Sequence, residues 1–324
     1  MNLFLAELRR ITHRRLTWIF MAIALGIVLL ASGMTALTSH TEPTPSQLAN
    51  AEEVWAADQE RVAECQESPP PANDDPDFTC EDRAYSQSKE DYYDMFTSTF
   101  VFSDEAPYFI LRLTVVGGLL MLILGSSLIG AEWRSGGMSN LLLWHPTRMK
   151  VLWSKLTASL IACTVALSAL IVIVFLAYYV AAAVRGDVGT LDGEWWAAFL
   201  PKAGRAVVLS MFMALFGITI TYLGRHTAIA GGVVAATLIL NMLMVGFARL
   251  ALELKYPQMW SLNTWVNAWF DGELTLTHFP ESADVVTEPE TMTLTYGTVG
   301  IAMLVTTVVL LALSSWTFRK RDIA

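Results

Sequence analysis

The sequence predicts an all-α integral membrane protein with six transmembrane helices, a cytoplasmic N-terminal amphipathic helix and a large helical extracytoplasmic loop between the first two spans. Of its 324 residues, 54% are apolar and only 16% are charged, whereas soluble domains carry about 25% charged residues. The apolar residues are grouped in long runs, and a run of about 18 residues can cross a hydrocarbon core of roughly 30 Å as a helix. Finally, the basic residues are concentrated in those segments between and beside the runs that would lie on one side of a membrane.

Six runs reach the required length, and each must be helical because backbone amides cannot stay unpaired in lipid. They cover residues 17–37, 109–131, 156–184, 206–223, 227–248 and 296–318. Only Gly224, Arg225 and His226 separate the fourth run from the fifth, so we expect a tight turn there. The first run is too long for the apolar region of a secretory signal peptide, and we expect it to be retained as a helix.

The charge distribution predicts the orientation of these spans. With the N-terminus inside, twelve of the 21 basic residues but only three of the 30 acids fall in inner segments. This arrangement follows the positive-inside rule. We therefore expect a multi-pass protein of the cell membrane with residues 1–16, 132–155, 224–226 and 319–324 in the cytoplasm, where the basic rim meets anionic lipid.

The outer segment 38–107 is strongly acidic, with seventeen acids and three bases. Helix-like stretches at 46–65 and 80–96 flank a proline-rich middle that cannot form regular structure. Cys65 and Cys80 lie on the oxidising side of the membrane, so we predict a disulfide that pins a helical hairpin; two free thiols are the alternative. Closing a loop of about 15 residues stabilises by roughly 3 kcal/mol.

A second outer segment, residues 249–295, contains Trp260, Trp265 and Trp269. Tryptophans near a membrane interface anchor helices at the headgroups. We predict a short, partly re-entrant or interfacial helix over residues 256–270, followed by an acidic loop through Glu290.

No motif for catalysis or metal binding stands out. The sequence has no GxxxxGK[ST], HExxH, CxxC or GxSxG pattern, and its five histidines lie in different segments. We therefore expect no catalytic residue, no metal and no cofactor on this chain, and nothing indicates a nucleic-acid partner. Asn241 is the clearest polar residue inside a span; an interhelical hydrogen bond is favoured for it over a substrate contact. The lack of intramembrane carboxylates argues against an ion-coupled carrier.

The first sixteen residues predict an interfacial helix. Leu3, Phe4, Leu8 and Ile11 recur at helical spacing. The basic residues of this segment are Arg9, Arg10, Arg14 and Arg15. Such a helix lies along the inner leaflet.

The cytoplasmic loop 132–155 predicts a second short helix. Gly136 and Gly137 bend the chain, the run 141–144 is an apolar patch of three leucines and a tryptophan, and Pro146 ends the helix. Because it lies between two long spans, this helix could transmit a movement of a cytoplasmic partner to both spans.

In layout the chain resembles the ABC-2 type permeases, the membrane subunits of one class of ATP-binding-cassette transporter. The resemblance is carried by Glu132, Gly136, Leu141, Pro146, Arg148 and Lys155, and by the ending Phe318-Arg319-Lys320-Arg321-Asp322. Two features depart from the pattern: Gly137 stands where such permeases commonly have threonine, and the first outer loop is unusually long.

The resemblance implies that two permease subunits pair and that each docks an ATPase subunit, which carries the ATP and Mg²⁺. A coupling helix within residues 132–144 would enter a cleft of the ATPase, and the first helix with the second and fifth spans would line the dimer interface and substrate path. The residues expected to contact the ATPase are Glu132, Arg134, Gly136, Leu141, Pro146 and Arg148.

The expected function is therefore that of a permease subunit of an exporter for a hydrophobic or amphiphilic substrate. The alternative is a non-transport membrane module whose acidic outer segment binds an extracytoplasmic partner. If the chain is a transporter subunit, we expect the outer segment to cap the exit of the substrate path or to dock an extracytoplasmic protein. The alternative is that this segment is a passive, solvated cap.

Overall fold

Six long apolar helices dominate the chain, and the predicted all-α membrane fold is confirmed. The computed structural model describes residues 3–68, 79–86, 88–144, 147–252, 254–278 and 290–320. The six spans are α2 (Arg15–Thr38), α5 (Phe102–Arg134), α7 (Arg148–Arg185), α8 (Gly193–Gly224), α9 (Thr227–Leu250) and α11 (Tyr296–Lys320). The shorter elements are α1 (Leu3–Thr12), α3 (Pro45–Glu67), α4 (Lys89–Phe96), α6 (Gly137–Trp144), α10 (Leu262–Asp271), and the strands β1 (Glu273–His278) and β2 (Glu290–Thr295).

Several helices extend well beyond the apolar runs of the sequence. α5 begins at Phe102, α7 at Arg148 and α8 at Gly193, each seven to thirteen residues before its run. The apolar run marks only the part of each helix that is suited to the hydrocarbon core. The helix itself extends further, because its backbone hydrogen bonds continue through polar residues. α7, with 38 residues, is about 57 Å long, which exceeds the roughly 30 Å of a hydrocarbon core.

The turn between α8 and α9 falls at the residues expected from the sequence. Arg225 adopts a positive φ of 58°. The Nδ1 atom of His226 accepts the backbone N–H of Ala228 at 3.1 Å and caps α9. This compact connection lets two antiparallel spans follow each other with two intervening residues.

The chain divides into two compact units, of which the first comprises residues 1–26, 107–173 and 196–324. α5 and α8 approach closely in this unit. A Cβ added at Gly125 would lie 2.9 Å from Ile218, and one at Gly217 would lie 2.5 Å from the Leu122 carbonyl oxygen. Small residues allow such backbone approach between membrane helices.

The second unit comprises residues 27–106 and 174–195, and it holds the disulfide. Cys65 in α3 and Cys80 are joined with their Cα atoms 5.5 Å apart, so the predicted bond is present. α3 starts with a capping box, in which Thr44 and Gln47 exchange hydrogen bonds. The middle of the proline-rich stretch, residues 69–78, lies outside the described residues.

The stretch 80–96 differs from the continuous helix-like segment expected. It contains a 3₁₀ turn at Cys80–Arg83 and then α4. The backbone between them turns toward the buried Asp58 of α3, whose carboxylate accepts the Tyr85 N–H at 3.0 Å and the Tyr92 hydroxyl at 2.7 Å. Because these bonds satisfy the buried carboxylate, they fix α4 against α3.

The second outer segment also differs from expectation. The predicted helix over 256–270 is a 3₁₀ turn at Pro257–Trp260 followed by α10. In place of the acidic loop expected from residue 271 through Glu290, β1 begins directly after α10, and it forms with β2 an antiparallel hairpin that pairs Leu274 with Leu294. Threonines alternate with leucines in β1 and with Met292 and Leu294 in β2, so each strand has one apolar face. Leu276 and Leu294 are buried.

Candidate functional site

The loop between α5 and α7 forms a sharp corner. Gly136 has a φ of 68°, a left-handed conformation that glycine adopts without steric cost and that commonly ends helices. Its N–H donates to the Trp133 carbonyl at 3.3 Å, while its own carbonyl accepts the Asn140 N–H at 3.1 Å and starts α6. One glycine therefore ends α5 and directs α6 away from it.

α6 is anchored at one end and exposed at the other. Met138 is fully buried, whereas Leu143 and Trp144 are 82% and 80% exposed. The cluster that holds Met138 draws on four spans through Ile129, Val151, Leu152, Leu156, Ile218, Tyr222 and Phe318, and Leu141 and Leu142 pack partly against it. A displacement of α6 would therefore change its packing contacts with α5, α7, α8 and α11.

A buried ion-paired cluster lies beside this corner. The Nζ atom of Lys155, whose side chain is 2% exposed, lies 2.7 Å from a Glu7 carboxylate oxygen and 2.6 Å from a Glu132 oxygen. Arg10 contacts the same Glu132 carboxylate at 2.9 Å. A buried charge requires such partners, and these link α1 to the end of α5 and the start of α7.

A cavity of about 630 Å³ opens next to this cluster. Its wall includes Glu7, Arg10, Ile11, His13, Arg14, Leu128, Ile129, Ala131, Glu132, Arg134, Ser135, Lys155 and Ser159. Arg14 donates to the Ser127 hydroxyl at 3.0 Å. Partial burial lowers the pKa of Arg14, and the nearby Glu132 carboxylate opposes that shift.

The N-terminal helix is less simply interfacial than its sequence suggests. Glu7 and Ile11 are its buried residues, and Leu3 and Phe4 pack against apolar clusters of the first unit. The apolar face of α1 therefore packs against other helices of the first unit. Arg9, Arg10 and Arg15 are exposed, and Arg14 is half-buried.

The residues expected to contact an ATPase fall into distinct environments. Glu132 is engaged internally, Arg134 is exposed at the cavity, and Leu141 is partly buried. Arg148 donates to the Arg319 carbonyl at 3.3 Å and so connects α7 with the end of α11. Pro146 lies outside the described residues.

Sequence reasoning missed the role of Glu7 and named Lys155 only as one of the residues that carry the family resemblance. Glu7 stands four residues before Ile11, on the apolar stripe of α1. A carboxylate on that stripe was the available signal, since a charge there needs a buried partner. The partner is 148 positions away, beyond the reach of a helical pattern.

Asn241 makes a hydrogen bond from its side-chain amide to the Trp260 carbonyl at 2.8 Å. The acceptor belongs to the 3₁₀ turn after α9 rather than to another span. Asn241 lies nine residues before the end of α9, which is about 13 Å along the helix axis. The turn therefore folds back along α9.

Within the described ranges, no group of three or more His, Cys, Asp or Glu side chains is close enough to hold a metal ion. Cys163 is buried in α7 with a free thiol. The described residues therefore offer a buried ion-paired cluster and, beside it, a short helix, α6, that is buried at one end and exposed at the other.

The six long apolar helices define a multi-pass helical membrane protein. In a comparison with protein families, residues 1–323 match the family described as ABC-2 family transporter protein. The chain belongs to this family and is a membrane permease subunit of an ABC transporter. A comparison with curated proteins found no significant match.

Proposed function

We propose that this chain forms the membrane path of an ABC exporter for a hydrophobic or amphiphilic substrate, driven by ATP and Mg²⁺ on a separate ATPase subunit. The observation that carries the proposal is α6, with Met138 fully buried and Trp144 80% exposed. An exposed leucine–tryptophan pair on a buried anchor suits a pocket in a partner, because buried aromatic side chains dominate the energy of protein interfaces.

The charge pattern supports the orientation. We propose that the termini and α6 are cytoplasmic, because the basic residues cluster there and the acids fall in the other segments. The ATPase would then meet α6 from the cytoplasm. A second permease subunit, identical or related, would complete the path.

The substrate class rests on the apolar character of the spans. Between α8, α10 and α11 lies a cavity of about 200 Å³, lined by Leu209, Phe212, Met213, Leu262, Trp265, Val266, Trp269, Val299, Ala302, Met303 and Thr306. Such a lining favours hydrocarbon over polar groups. It is consistent with a hydrophobic or amphiphilic cargo.

The test is co-purification of an ATPase with the full chain in mild detergent, followed by measurement of ATP hydrolysis in liposomes. The variant Leu143→Ser/Trp144→Ala should weaken association about tenfold or more, since a buried interface tryptophan contributes about 2 kcal/mol or more. Trp316→Ala is the matched control, because Trp316 is also exposed, at 58%, near the end of α11.

Two results would contradict the proposal. One is an ATPase that binds the α6 variant as well as it binds the unchanged chain. The other is a preparation from which no ATPase can be recovered, which would favour a membrane module that binds an outer partner. Deleting residues 47–94 tests that outer role: retained transport would indicate a passive cap.

A further inference from the structure

We propose that the 630 Å³ cavity beside α1 binds the phosphate-bearing headgroup of an anionic phospholipid. This volume is within the range of about 300–1,000 Å³ typical of small-molecule sites. The proposal does not depend on the transport function or on which face of the membrane is cytoplasmic.

The charge of the cavity favours an anion. Its wall carries four permanent cations and two carboxylates. Both carboxylates are already paired: Glu7 and Glu132 each contact Lys155 and Arg10. The wall therefore keeps a formal charge of +2 with His13 neutral.

The two remaining cations are available to a ligand. Among the described residues, neither Arg14 nor Arg134 has a carboxylate within ion-pair distance. Arg14 donates one N–H to Ser127, which orients its guanidinium, and an arginine has five N–H donors in a planar fork that suits phosphate. Ser135 adds a hydroxyl to the same wall.

The location of the cavity favours a lipid as the source of the phosphate. Arg14 directly precedes α2, the first span. One turn further on, Trp18 is 65% exposed and donates its indole N–H to the Thr12 carbonyl at 2.8 Å. Tryptophans in such positions lie at the level of the headgroups, so Arg14 lies where lipid phosphates are found.

The cavity wall is shared by α1, the end of α5 and the start of α7. A headgroup bound there would join the same three elements that Lys155 joins. The lipid would therefore act as a further link between the N-terminal helix and the corner that leads into α6.

The test titrates the purified full chain, in a neutral detergent, with phosphatidylglycerol or phosphatidylcholine and counts bound lipids by native mass spectrometry. We expect phosphatidylglycerol to bind at least tenfold more tightly. The double variant Arg14→Gln/Arg134→Gln should lose about tenfold or more of that affinity, because each removes a charged contact with phosphate.

The matched control is Arg9→Gln/Lys150→Gln, which removes the same charge from exposed positions outside the cavity. It should change the affinity by less than about twofold, because no contact with the ligand is lost. Equal losses in the two double variants would overturn the proposal, since they would indicate a diffuse basic rim. Equal binding of the two lipids would overturn it as well.

Two further arms separate the remaining outcomes. Glycerol 3-phosphate carries the same phosphate without acyl chains; if it binds as tightly as phosphatidylglycerol, the ligand is a soluble phosphate compound and the lipid assignment is wrong. If the double variant unfolds, Arg134→Gln alone provides the test, because Arg134 is exposed. Its affinity should fall about fivefold, and an unchanged affinity would overturn the proposal.

Arg134 was also expected to contact the ATPase. The single variant Arg14→Gln separates the two roles, since Arg14 precedes α2 and lies outside the α6 loop. It should weaken lipid binding about fivefold and leave ATPase co-purification unchanged, and Arg14→Lys should restore part of the lipid affinity. Loss of the ATPase with unchanged lipid binding would overturn the headgroup site.

Discussion

Lys155 and Glu132 form an ion pair of 2.6 Å in which the lysine side chain is 2% exposed. Glu7 completes the pairing from α1. In this arrangement one ammonium group holds two carboxylates from different elements. It connects the N-terminal helix with both ends of the loop that contains α6.

Replacing Lys155 by Met should destabilise the protein by roughly 3–5 kcal/mol, because it leaves two carboxylates without their buried partner. The measurement is thermal or denaturant unfolding in detergent. Lys202→Met is the control: the Lys202–Asp271 pair is more exposed, and its loss should cost only about 0–1 kcal/mol. Similar costs for both variants would contradict the role given to Lys155. Adding Glu7→Gln and Glu132→Gln to Lys155→Met should restore part of the stability.

Gly217→Ala should destabilise the contact between α5 and α8 by about 1–3 kcal/mol, since the new Cβ would meet the backbone carbonyl of Leu122. Gly204→Ala in the same helix is the matched control, because a Cβ there meets nothing within 4 Å. It should be neutral or stabilise by up to about 1 kcal/mol. Unfolding of both variants under identical detergent conditions measures the difference, and a tolerated alanine at Gly217 would show that the helices can separate without cost.

Removing the disulfide with Cys65→Ser/Cys80→Ser should lower the stability of the second unit by about 3 kcal/mol, the value expected for a closed loop of 15 residues. Limited proteolysis of the segment between α3 and α4 should accelerate accordingly. Reductant should have the same effect on the unchanged chain and none on the double variant. A reductant effect that persists in the variant would point to another target.

The predicted membrane layout and the observed fold agree because span length is a local property. A run of about twenty apolar residues can be recognised as a membrane span from its own sequence, without information about the rest of the fold. The Lys155 cluster could not be found in that way, because its members come from three separate parts of the chain and each looks like an ordinary interface charge. In the β-hairpin, threonines alternate with leucine or methionine, but the stretch 279–289 separates the two strands in sequence and obscures their pairing.

The stability of the second unit should fall as the pH drops through the acidic range. Hydrogen bonds from the Tyr85 N–H and the Tyr92 hydroxyl, with help from Arg61, hold the pKa of Asp58 below its ordinary value of 3.8. A lowered folded-state pKa stabilises the fold above the unfolded-state value, and that contribution is lost when Asp58 is protonated. Unfolding measured between about pH 5 and pH 2 should show the loss.

Asp58→Asn should flatten this part of the pH profile. Glu60→Gln is the control, because Glu60 is exposed on the same helix, and it should leave the profile unchanged. Identical profiles for the two variants would assign the acid sensitivity to the other carboxylates of the segment.

β2 ends at Thr295 and α11 begins at Tyr296, so no linker separates the strand from the span. The Tyr296 N–H also donates to the Gly272 carbonyl at 2.7 Å, which closes the base of the hairpin. Strand and helix consequently have no slack between them. A ligand that binds the hairpin and displaces it would therefore also tilt the first turn of α11. An antibody fragment against the hairpin could be used in this way to restrict the movement of the span.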